Sequence, residues 1–501
     1  MRKMKQHALA RVTAAAWVAV LSVGAACRDL PLPTTPPKSS APTPSTSLRD
    51  AAPHDYWTPD DEEARIAREE VRGYAGSLLE TDGTRTILMA DTTDLAAGLV
   101  RLRERFTRGP TQHAISRVRK VRYDFDELKR ARDVIHAKGL GSTRWSSIDV
   151  DEVTNRVVVG VVDATQIGAA RSTLRNLGLS DELVDVRVIP PVVPDLLRAK
   201  LRAQSCRPDM TNCQPAEEPA PTPACVGLQC TQPSLVGGLL IEVVTRYGLF
   251  PVPCSIGALA NYLDMQGYIT AAHCSENTAT VDGATYRQGL GSTTTVGTEI
   301  IDPPGHLAFC HPGYLCRFSD ANFVRLSATA PFTPGYIART TYKNASNLDQ
   351  ARQISNLTGL RIIAQRHYNS SPAPAYGTPV TKVGWRTGTT EGVVSGTCID
   401  VAYGLADAEG HQIEIQCQYE VYPPSGFPSG FRISGEGDSG GAVFIVTSGS
   451  DVYFQGILAS GRPFPYDPLG PYSMSYMFSL IDMMESEFNR TAPFPLGVVA
   501  P

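Results

Sequence analysis

Three residues that together could carry out nucleophilic catalysis lie far apart in the chain. Ser439 lies within the sequence Gly-Asp-Ser-Gly-Gly at residues 437–441, where glycines allow a tight turn that exposes a hydroxyl. His273 follows an apolar run, and Asp320 begins a strand-like segment. A serine becomes a nucleophile when a histidine takes its proton and a third group fixes the histidine tautomer. The sequence therefore predicts a triad of Ser439, His273 and Asp320.

A second aspartate competes for the third position of this triad. Asp302 is followed by two prolines, which favour a turn, so we prefer Asp320. Residues 433–436 and 456–462 are predicted to set substrate specificity, and the edge strand among them should bind the substrate backbone. No acidic residue there is clearly placed to select a basic side chain.

Length and composition indicate a large exported protein rather than a nucleic-acid-binding one. The 501 residues favour two folded units with linkers. The formal net charge of −4 and the lack of a strongly basic block argue against a nucleic-acid partner. Residues 1–26 combine a basic start with an apolar stretch rich in small residues, which predicts a signal peptide.

Cys27 directly follows the predicted signal peptide and is a candidate for lipidation. Ordinary cleavage after Ala26 is the alternative, because Gly24 stands where lipoprotein signals usually carry leucine. Lipidation would explain the odd count of eleven cysteines, since an exported chain oxidises its thiols. Residues 27–57 are rich in Pro, Ser and Thr and are predicted to form a flexible segment, which behind a lipidated Cys27 would be a membrane tether.

Residues 58–200 are predicted to form an α+β domain. Helical spacing of apolar residues predicts three helices, and strand patterns around a further helix predict a hairpin, a helix and a final strand. The first three stripes are Ile66/Val71/Leu78, Leu95/Leu99/Leu102/Phe106 and Ile115/Val118/Val121/Phe125/Leu128; the later elements are 145–151, 156–162, 167–177 and 184–188.

Residues 201–233 are predicted to be a linker rich in cysteine and proline, and residues 234–501 a β-rich domain. The linker carries four cysteines, for which two small disulfide loops are favoured over zinc because no His-x-His pattern is nearby. Short apolar runs separated by Gly, Pro, Asn and Asp predict an antiparallel barrel or sandwich. The last strong segment, 476–484, is predicted to be a terminal helix.

The triad motifs resemble those of chymotrypsin-fold serine proteases, most closely the bacterial α-lytic and Streptomyces-type branch. The resemblance is carried by residues 235–274, 319–326, 382–392 and 437–441. Residues 147–188 resemble the pro-region of that branch. The resemblance implies an all-β, two-barrel protease domain with a C-terminal helix, preceded by an α+β pro-domain. A processing site is expected within residues 201–233.

The same resemblance implies several site features. The N–H groups of Gly437 and Ser439 would form an oxyanion hole, and Asp438 would be structural. Family members often carry a cysteine where this chain has Thr381, so the local disulfide must differ. The disulfides expected in the protease domain are Cys254–Cys274, which matches the histidine loop of the family, Cys398–Cys417 as the substitute pair, and Cys310–Cys316 as a small loop.

These features predict the precursor of a serine endopeptidase that hydrolyses peptide bonds through an acyl-enzyme intermediate. No cofactor and no metal are expected. The predicted partners are polypeptide substrates and the chain's own pro-region, which would aid folding and inhibit the enzyme. The protein would be secreted or anchored to a bacterial membrane through Cys27. The alternative is a binding or sensing protein that retains the protease fold without activity.

Overall fold

The computed structural model describes residues 58–106, 113–140, 143–194, 226–244, 251–307, 310–367, 373–406, 411–428, 430–465, 467, 470–491 and 496–498. These residues belong to one compact unit. The predicted signal peptide, Cys27, the tether and residues 201–225 of the Cys/Pro-rich linker lie outside the described residues. No helix in the described ranges is long and apolar enough to cross a membrane.

Strands outnumber helices throughout the described chain. The helices are α1 (Pro59–Arg65, continued by a π-helical turn at Ile66–Glu70), α2 (Leu95–Phe106), α3 (Phe125–Lys138), α4 (Ile167–Asn176), α5 (Leu348–Ala351) and α6 (Ile481–Thr491). The strands before the β-rich part are β1 (Tyr74–Leu79), β2 (Arg85–Met89), β3 (Ile115–Lys120), β4 (Trp145–Asp151), β5 (Arg156–Val161) and β6 (Val184–Val188). Those of the first half of the β-rich part are β7 (Leu235–Gly237), β8 (Leu240–Val244), β9 (Val252–Ser255), β10 (Ala258–Tyr262), β11 (Met265–Thr270), β12 (Thr285–Gln288), β13 (Thr295–Ile301), β14 (Tyr314–Arg317), β15 (Asn322–Leu326) and β16 (Phe332–Thr340). The remaining strands are β17 (Ile354–Gln365), β18 (Pro379–Gly384), β19 (Gly388–Ala406), β20 (Gln412–Tyr422), β21 (Ser434–Gly435), β22 (Ala442–Ser448), β23 (Asp451–Pro463), β24 (Tyr472–Leu480) and β25 (Gly497–Val498).

The first barrel is built from β8–β13, β15 and β25. Its strands follow the order β25-β10-β11-β15-β13-β12-β8-β9. Strand β9 lies at one end of this order and β10 lies next to the other end. Only Ile256 and Gly257 separate them in the chain, so the bend at these two residues brings the two ends of the sheet together. A Cβ atom at residue 257 would lie 2.4 Å from Ile457 Cγ2, so only glycine fits this bend. Tyr268 on β11 and Val324 on β15 lie opposite each other on one face of the sheet, and both they and Phe323, on the other face of β15, have no exposed surface.

The second barrel is a closed ring of six antiparallel strands. Pairing runs β18-β19-β20-β24-β23-β22 and returns from β22 to β18. Closure leaves no free edge within the ring. Val394, Val421, Phe478 and Leu480 pack inside it with no exposed surface. Helix α6 follows β24 directly, so both barrels and the C-terminal helix agree with the predicted all-β two-barrel class.

The upstream region forms two small sheets with α3 packed against its core. One sheet has the order β1-β2-β3. The other, β4-β5-β6, continues the second barrel because β4 pairs antiparallel with β19, with Ile148 opposite Asp400 and Ser147 opposite Val401. Helix α3 begins at a capping box in which Asp124 and Glu127 accept each other's backbone N–H. The described residues of this region have the predicted α+β character.

Three predictions of secondary structure were wrong. Residues 476–480 belong to β24, and the terminal helix begins only at Ile481, because β20 and β23 flank this stretch and pair with it. Residues 115–120, predicted as helix, form β3, which pairs parallel with β2. Leu78 lies in β1 rather than on a helix. In each case strand pairing outweighed the helical spacing of a few apolar residues.

Candidate active site

Two neighbouring strands of the first barrel bring His273 and Asp320 together. His273 lies in the single helical turn Ala272–Cys274 that follows β11, and Asp320 lies in the turn between β14 and β15. Because β11 and β15 pair antiparallel with Thr270 opposite Asn322, both residues leave the barrel at the same end. Their closeness therefore follows from strand register, although 47 residues separate them in the chain.

The side chains of His273, Asp320 and Ser439 form a continuous hydrogen-bonded series. Nδ1 of His273 lies 2.5 Å from Oδ2 of Asp320, and the His273 backbone N–H donates to Oδ1 at 3.0 Å. Nε2 of His273 lies 2.9 Å from Oγ of Ser439. All three side chains are buried, and Ser439 has no exposed surface. The geometry suits proton transfer from Oγ to Nε2 with Asp320 orienting the ring.

The electrostatic surroundings keep Asp320 ionised. Burial by itself would raise the pKa of Asp320, but the adjacent His273, its hydrogen bonds and nearby Arg317 together hold the pKa below its usual value. The competing aspartate is occupied elsewhere. Asp302 Oδ1 lies 2.6 Å from Arg317 Nη1, Oδ2 accepts the Thr280 N–H at 3.1 Å, and burial raises the pKa of Asp302 to about 6.

The loop that carries Ser439 depends on two glycines with positive φ. Gly437 has φ 97° and Gly440 has φ 83°. A Cβ on Gly437 would lie 2.1 Å from Trp385 Nε1, and one on Gly440 would lie 2.2 Å from Thr270 Oγ1. Both conformation and space therefore require glycine on either side of the serine.

Ser255 ties the serine loop to the first barrel, and sequence analysis missed it. Its N–H donates to the Ser439 carbonyl at 2.8 Å, and its Oγ donates to the Gly437 carbonyl at 2.8 Å. The Trp385 N–H in turn donates to the Ser255 Oγ at 3.0 Å. These bonds cross the junction of the two barrels. No local pattern marks Ser255, because Trp385, Gly437 and Ser439, the partners of its N–H and hydroxyl groups named above, are more than 100 residues away.

Asp438 is the centre of a buried polar cluster behind Ser439. Its Oδ2 lies 2.7 Å from Lys382 Nζ and accepts bonds from Thr387 Oγ1 at 2.6 Å and Gly435 N–H at 3.0 Å. Its Oδ1 accepts the backbone N–H groups of Arg386 and Thr387. The lysine motif noted in the sequence therefore contacts the serine loop through Asp438, which is consistent with the structural role expected for this aspartate.

The structure places the sulfurs of three predicted cysteine pairs at bonding distance. Cys254–Cys274 fastens the turn that carries His273, with a Cα–Cα distance of 6.4 Å. The other two pairs are Cys310–Cys316, which joins the segment before β14 to β14 itself, and Cys398–Cys417, which joins β19 to β20. Of the four linker cysteines, Cys230 alone falls within the described residues, and it is buried.

The two predicted specificity segments lie on opposite sides of β24. Residues 434–435 form β21, which pairs with the start of β24, and β23 pairs along the other side of β24. Arg462 on β23 is buried, and its Nε lies 2.7 Å from Glu420 Oε1. Ser475 on β24 donates to the same oxygen at 2.7 Å. A buried ion pair thus stands in the region that sequence analysis assigned to specificity.

In the described part of the chain, one group of side chains has the spacing of a metal site: His136, His311 and Glu414, whose ligand atoms lie within 4.8 Å of one another. His311 Nε2 accepts the Leu140 N–H at 3.0 Å, so the proton of the neutral ring lies on Nδ1, which leaves no lone pair aimed at the group. His136 Nε2 contacts Asp400 at 2.7 Å. His136, Asp400 and Glu414 therefore form an ion-pair network between α3 and the second barrel, with the neutral His311 beside it.

Comparison with known proteins gives structural similarity alone. No protein-family model matches the chain, and no curated protein matches it. The structure is similar to solved bacterial chymotrypsin-fold serine proteases, each over about half of this chain. Thermobifida fusca protease A has 18% identity over 54% of this chain and 100% of its own, with a TM-score of 0.32. Nocardiopsis protease has 17% identity over 53% of this chain and 99% of its own, with a TM-score of 0.31. The α-lytic protease homologue N4 has 15% identity over 53% of this chain and 99% of its own, with a TM-score of 0.32.

Proposed function

We propose that this chain is the precursor of a serine endopeptidase that hydrolyses peptide bonds in polypeptide substrates. The observation that carries the proposal is the contact series of Ser439, His273 and Asp320, at 2.9 Å and 2.5 Å. The three side chains come from two barrels and from distant parts of the sequence. A buried charged pair that serves no chemistry is costly, so its alignment with a buried serine hydroxyl supports a catalytic role.

The reaction proceeds in two halves. His273 Nε2 takes the Ser439 proton as Oγ attacks the substrate carbonyl carbon, and the resulting imidazolium then protonates the leaving amine as the C–N bond breaks. A water molecule, deprotonated by the same nitrogen, attacks the acyl-enzyme, and the proton returns to Ser439 Oγ as the carboxylic acid leaves. Asp320 stays ionised throughout and stabilises the imidazolium.

The backbone N–H groups of Gly437 and Ser439 stabilise the negative oxygen of each tetrahedral intermediate. The Asp438 carbonyl accepts the Gly441 N–H at 2.8 Å, which fixes the peptide group that carries the Ser439 N–H before substrate arrives. The positive φ of Gly437 and the bonds from Ser255 to the Gly437 and Ser439 carbonyls hold the adjoining peptide groups of the loop. Fixed donors need no reorganisation during the reaction, which is why such donors contribute about 10²–10³ each to turnover.

The upstream region acts as the pro-region, aiding folding and holding the enzyme inactive until it is removed. Three contacts support this. The Val193 N–H donates to the Gly461 carbonyl at 3.3 Å, on the strand expected to bind substrate backbone. Arg462 donates through Nη1 to the Pro190 carbonyl. Pairing of β4 with β19 attaches the same region to the second barrel. An extended segment along this edge excludes a substrate strand.

The protein acts outside the cytoplasm. Three cysteine pairs at bonding distance support an oxidising compartment, in line with a signal peptide at residues 1–26. Lipidation of Cys27 would anchor the enzyme to a membrane through residues 27–57. Mass spectrometry of the mature amino terminus tests both the removal of residues 1–26 and the lipidation of Cys27. A diacylglyceryl mass on Cys27 supports the anchor, and an unmodified terminus overturns it.

Hydrolysis of a peptide library by the processed protein tests the function. Wild type should cleave peptide bonds, Ser439→Ala should lose all cleavage above background, and the control Ser448→Ala, at an exposed serine on β22, should match wild type. No cleavage by wild type after removal of the upstream region would favour the alternative, a binding or sensing protein with an idle triad.

A further inference from the structure

The turn that carries Asp320 is held by elements outside the first barrel. Residues 318–321 join β14, which pairs with β20 of the second barrel, to β15 of the first barrel, and they donate hydrogen bonds to, or accept them from, side chains of β20, β24 and α6. A turn held by distant elements takes its position from them, so the orientation of Asp320 towards His273 depends on how well those elements are anchored.

Glu487 on α6 makes the densest of these contacts. Its Oε1 accepts the Phe318 N–H at 2.5 Å, and its Oε2 accepts the Ser319 N–H at 3.0 Å and the Ser319 Oγ–H at 2.5 Å. The side chain of Glu487 is buried. Burial raises the pKa of Glu487 above its usual value, although nearby Arg317 and the three donors oppose the rise. A buried carboxylate with three donors on two consecutive residues fixes their backbone.

The neighbouring contacts complete the same arrangement. The Asp320 N–H donates to Ser479 Oγ at 3.0 Å, and Ser479 Oγ–H donates to Gln418 Oε1 at 2.9 Å. Gln418 Nε2 donates back to the Phe318 carbonyl at 3.2 Å. The turn is thus bound through consecutive residues by side chains of three other elements, and Glu487 supplies the one charged group among them.

We propose that Glu487 is a positioning residue for Asp320: by holding the 318–320 turn, α6 keeps the Asp320 carboxylate in contact with His273. This inference rests on the proposed protease function. Displacements of about 1 Å in catalytic geometry cost about 10²-fold in rate, so a residue that never touches substrate can control turnover here.

The substitution Glu487→Gln tests the proposal with little change in shape. The glutamine NH2 group meets one of the two backbone N–H donors, so at least one hydrogen bond to the turn is lost. The matched control is Glu485→Gln on the same helix, whose carboxylate contacts Gln365 and His367 instead. Ser319→Ala is a milder variant that removes a single bond to Glu487.

Two readouts separate positioning from stability. In the processed enzyme, Glu487→Gln should lower kcat by about 10–100-fold with little change in KM, and should move the acid midpoint of the pH profile downward because Asp320 stabilises the imidazolium less. In the intact Ser439→Ala chain, the ¹⁵N and low-field proton resonances of His273 should shift and titrate at lower pH. Glu485→Gln should match the parent in both readouts, and Ser319→Ala should fall between.

The result that overturns the proposal is a Glu487→Gln chain with the parent's His273 resonances and titration midpoint, whatever its stability. If Glu487→Gln fails to fold, an unshifted His273 midpoint in Ser319→Ala overturns it instead. Because the resonance measurement needs no hydrolysis, it still decides the role of Glu487 if the wild-type chain proves inactive and the protease proposal fails.

Discussion

Nε2 of His136, on α3, lies 2.7 Å from Oδ2 of Asp400, on β19. Nδ1 of the same buried ring lies 3.3 Å from Glu414 Oε1 on β20. Arg132, one turn earlier on α3, lies 3.7 Å from Asp400 and donates to the Cys398 carbonyl at 3.2 Å. A single imidazole therefore bridges the upstream region to two carboxylates of the second barrel, and its protonation should govern that contact.

The pKa shifts determine how the strength of this contact changes with pH. Burial lowers the pKa of His136, but the carboxylates of Glu414 and Asp400 outweigh burial and raise it overall. Burial raises the pKa of Glu414 to about 7. Both groups have raised pKa values, so each stabilises the contact fully only below its ordinary pKa. The contribution of Glu414 is lost as pH rises from 4.5 through about 7, and that of His136 is lost as pH rises from 6.5 through its raised pKa. Burial lowers the pKa of His311 to about 3. This group therefore makes the contact stronger as pH rises, but only over the range below pH 6.5.

Hydrogen exchange of the β4 amides in the Ser439→Ala chain measures the contact. After correction for intrinsic exchange, protection of residues 147–148 should fall between pH 6.5 and 8.5, by up to about tenfold per pH unit for each proton released. His136→Gln should flatten this slope. The control His113→Gln, in the β1–β3 part of the upstream region, should keep it. An unchanged slope in His136→Gln would assign the pH dependence elsewhere.

Asp320→Asn should reduce kcat by about 10⁴ with little loss of stability. The amide offers an N–H where His273 Nδ1–H needs an acceptor, so the ring takes the wrong tautomer. Steady-state kinetics and thermal unfolding of the processed enzyme check both parts. A rate near that of wild type would remove Asp320 from the triad.

Asp302→Asn should show the converse behaviour. It leaves Arg317 buried with a weakened partner, and breaking such a pair costs about 3–5 kcal/mol of unfolding free energy. The contacts of His273 with Asp320 are retained, so kcat per active site should change little. A large fall in kcat with unchanged stability would show that Asp302, not Asp320, serves the histidine.

Gly437→Ala should lower kcat by about 10²–10³ and leave KM nearly unchanged, because the added Cβ collides with Trp385 and turns the peptide N–H away from the oxyanion. The control Gly449→Ala also has positive φ, at 56°, but its added Cβ meets nothing within 4 Å. It should cost about 1–2 kcal/mol of stability and keep kcat. Equal kinetics for the two variants would argue against the oxyanion role.

The features that could be predicted from the sequence are those encoded by neighbouring residues. Ser439, His273 and Asp320 each stand in a short motif, and the strands near them alternate clearly. Glu487, Ser255 and the partner of Lys382 could not be found this way, because their contacts join segments more than 50 residues apart. Residues 476–480 show the same limit. Their spacing suits a helix, but pairing with β20 and β23 makes them a strand.

Labelling with a fluorophosphonate probe tests the central claim most directly. After removal of the upstream region, wild type should form one covalent adduct, which peptide mapping should place on Ser439. Ser439→Ala should remain unlabelled, and Ser448→Ala should label at the wild-type rate. If folded, processed wild type does not react, or if the adduct maps to another serine, the chain does not act through Ser439, and the protease account is contradicted.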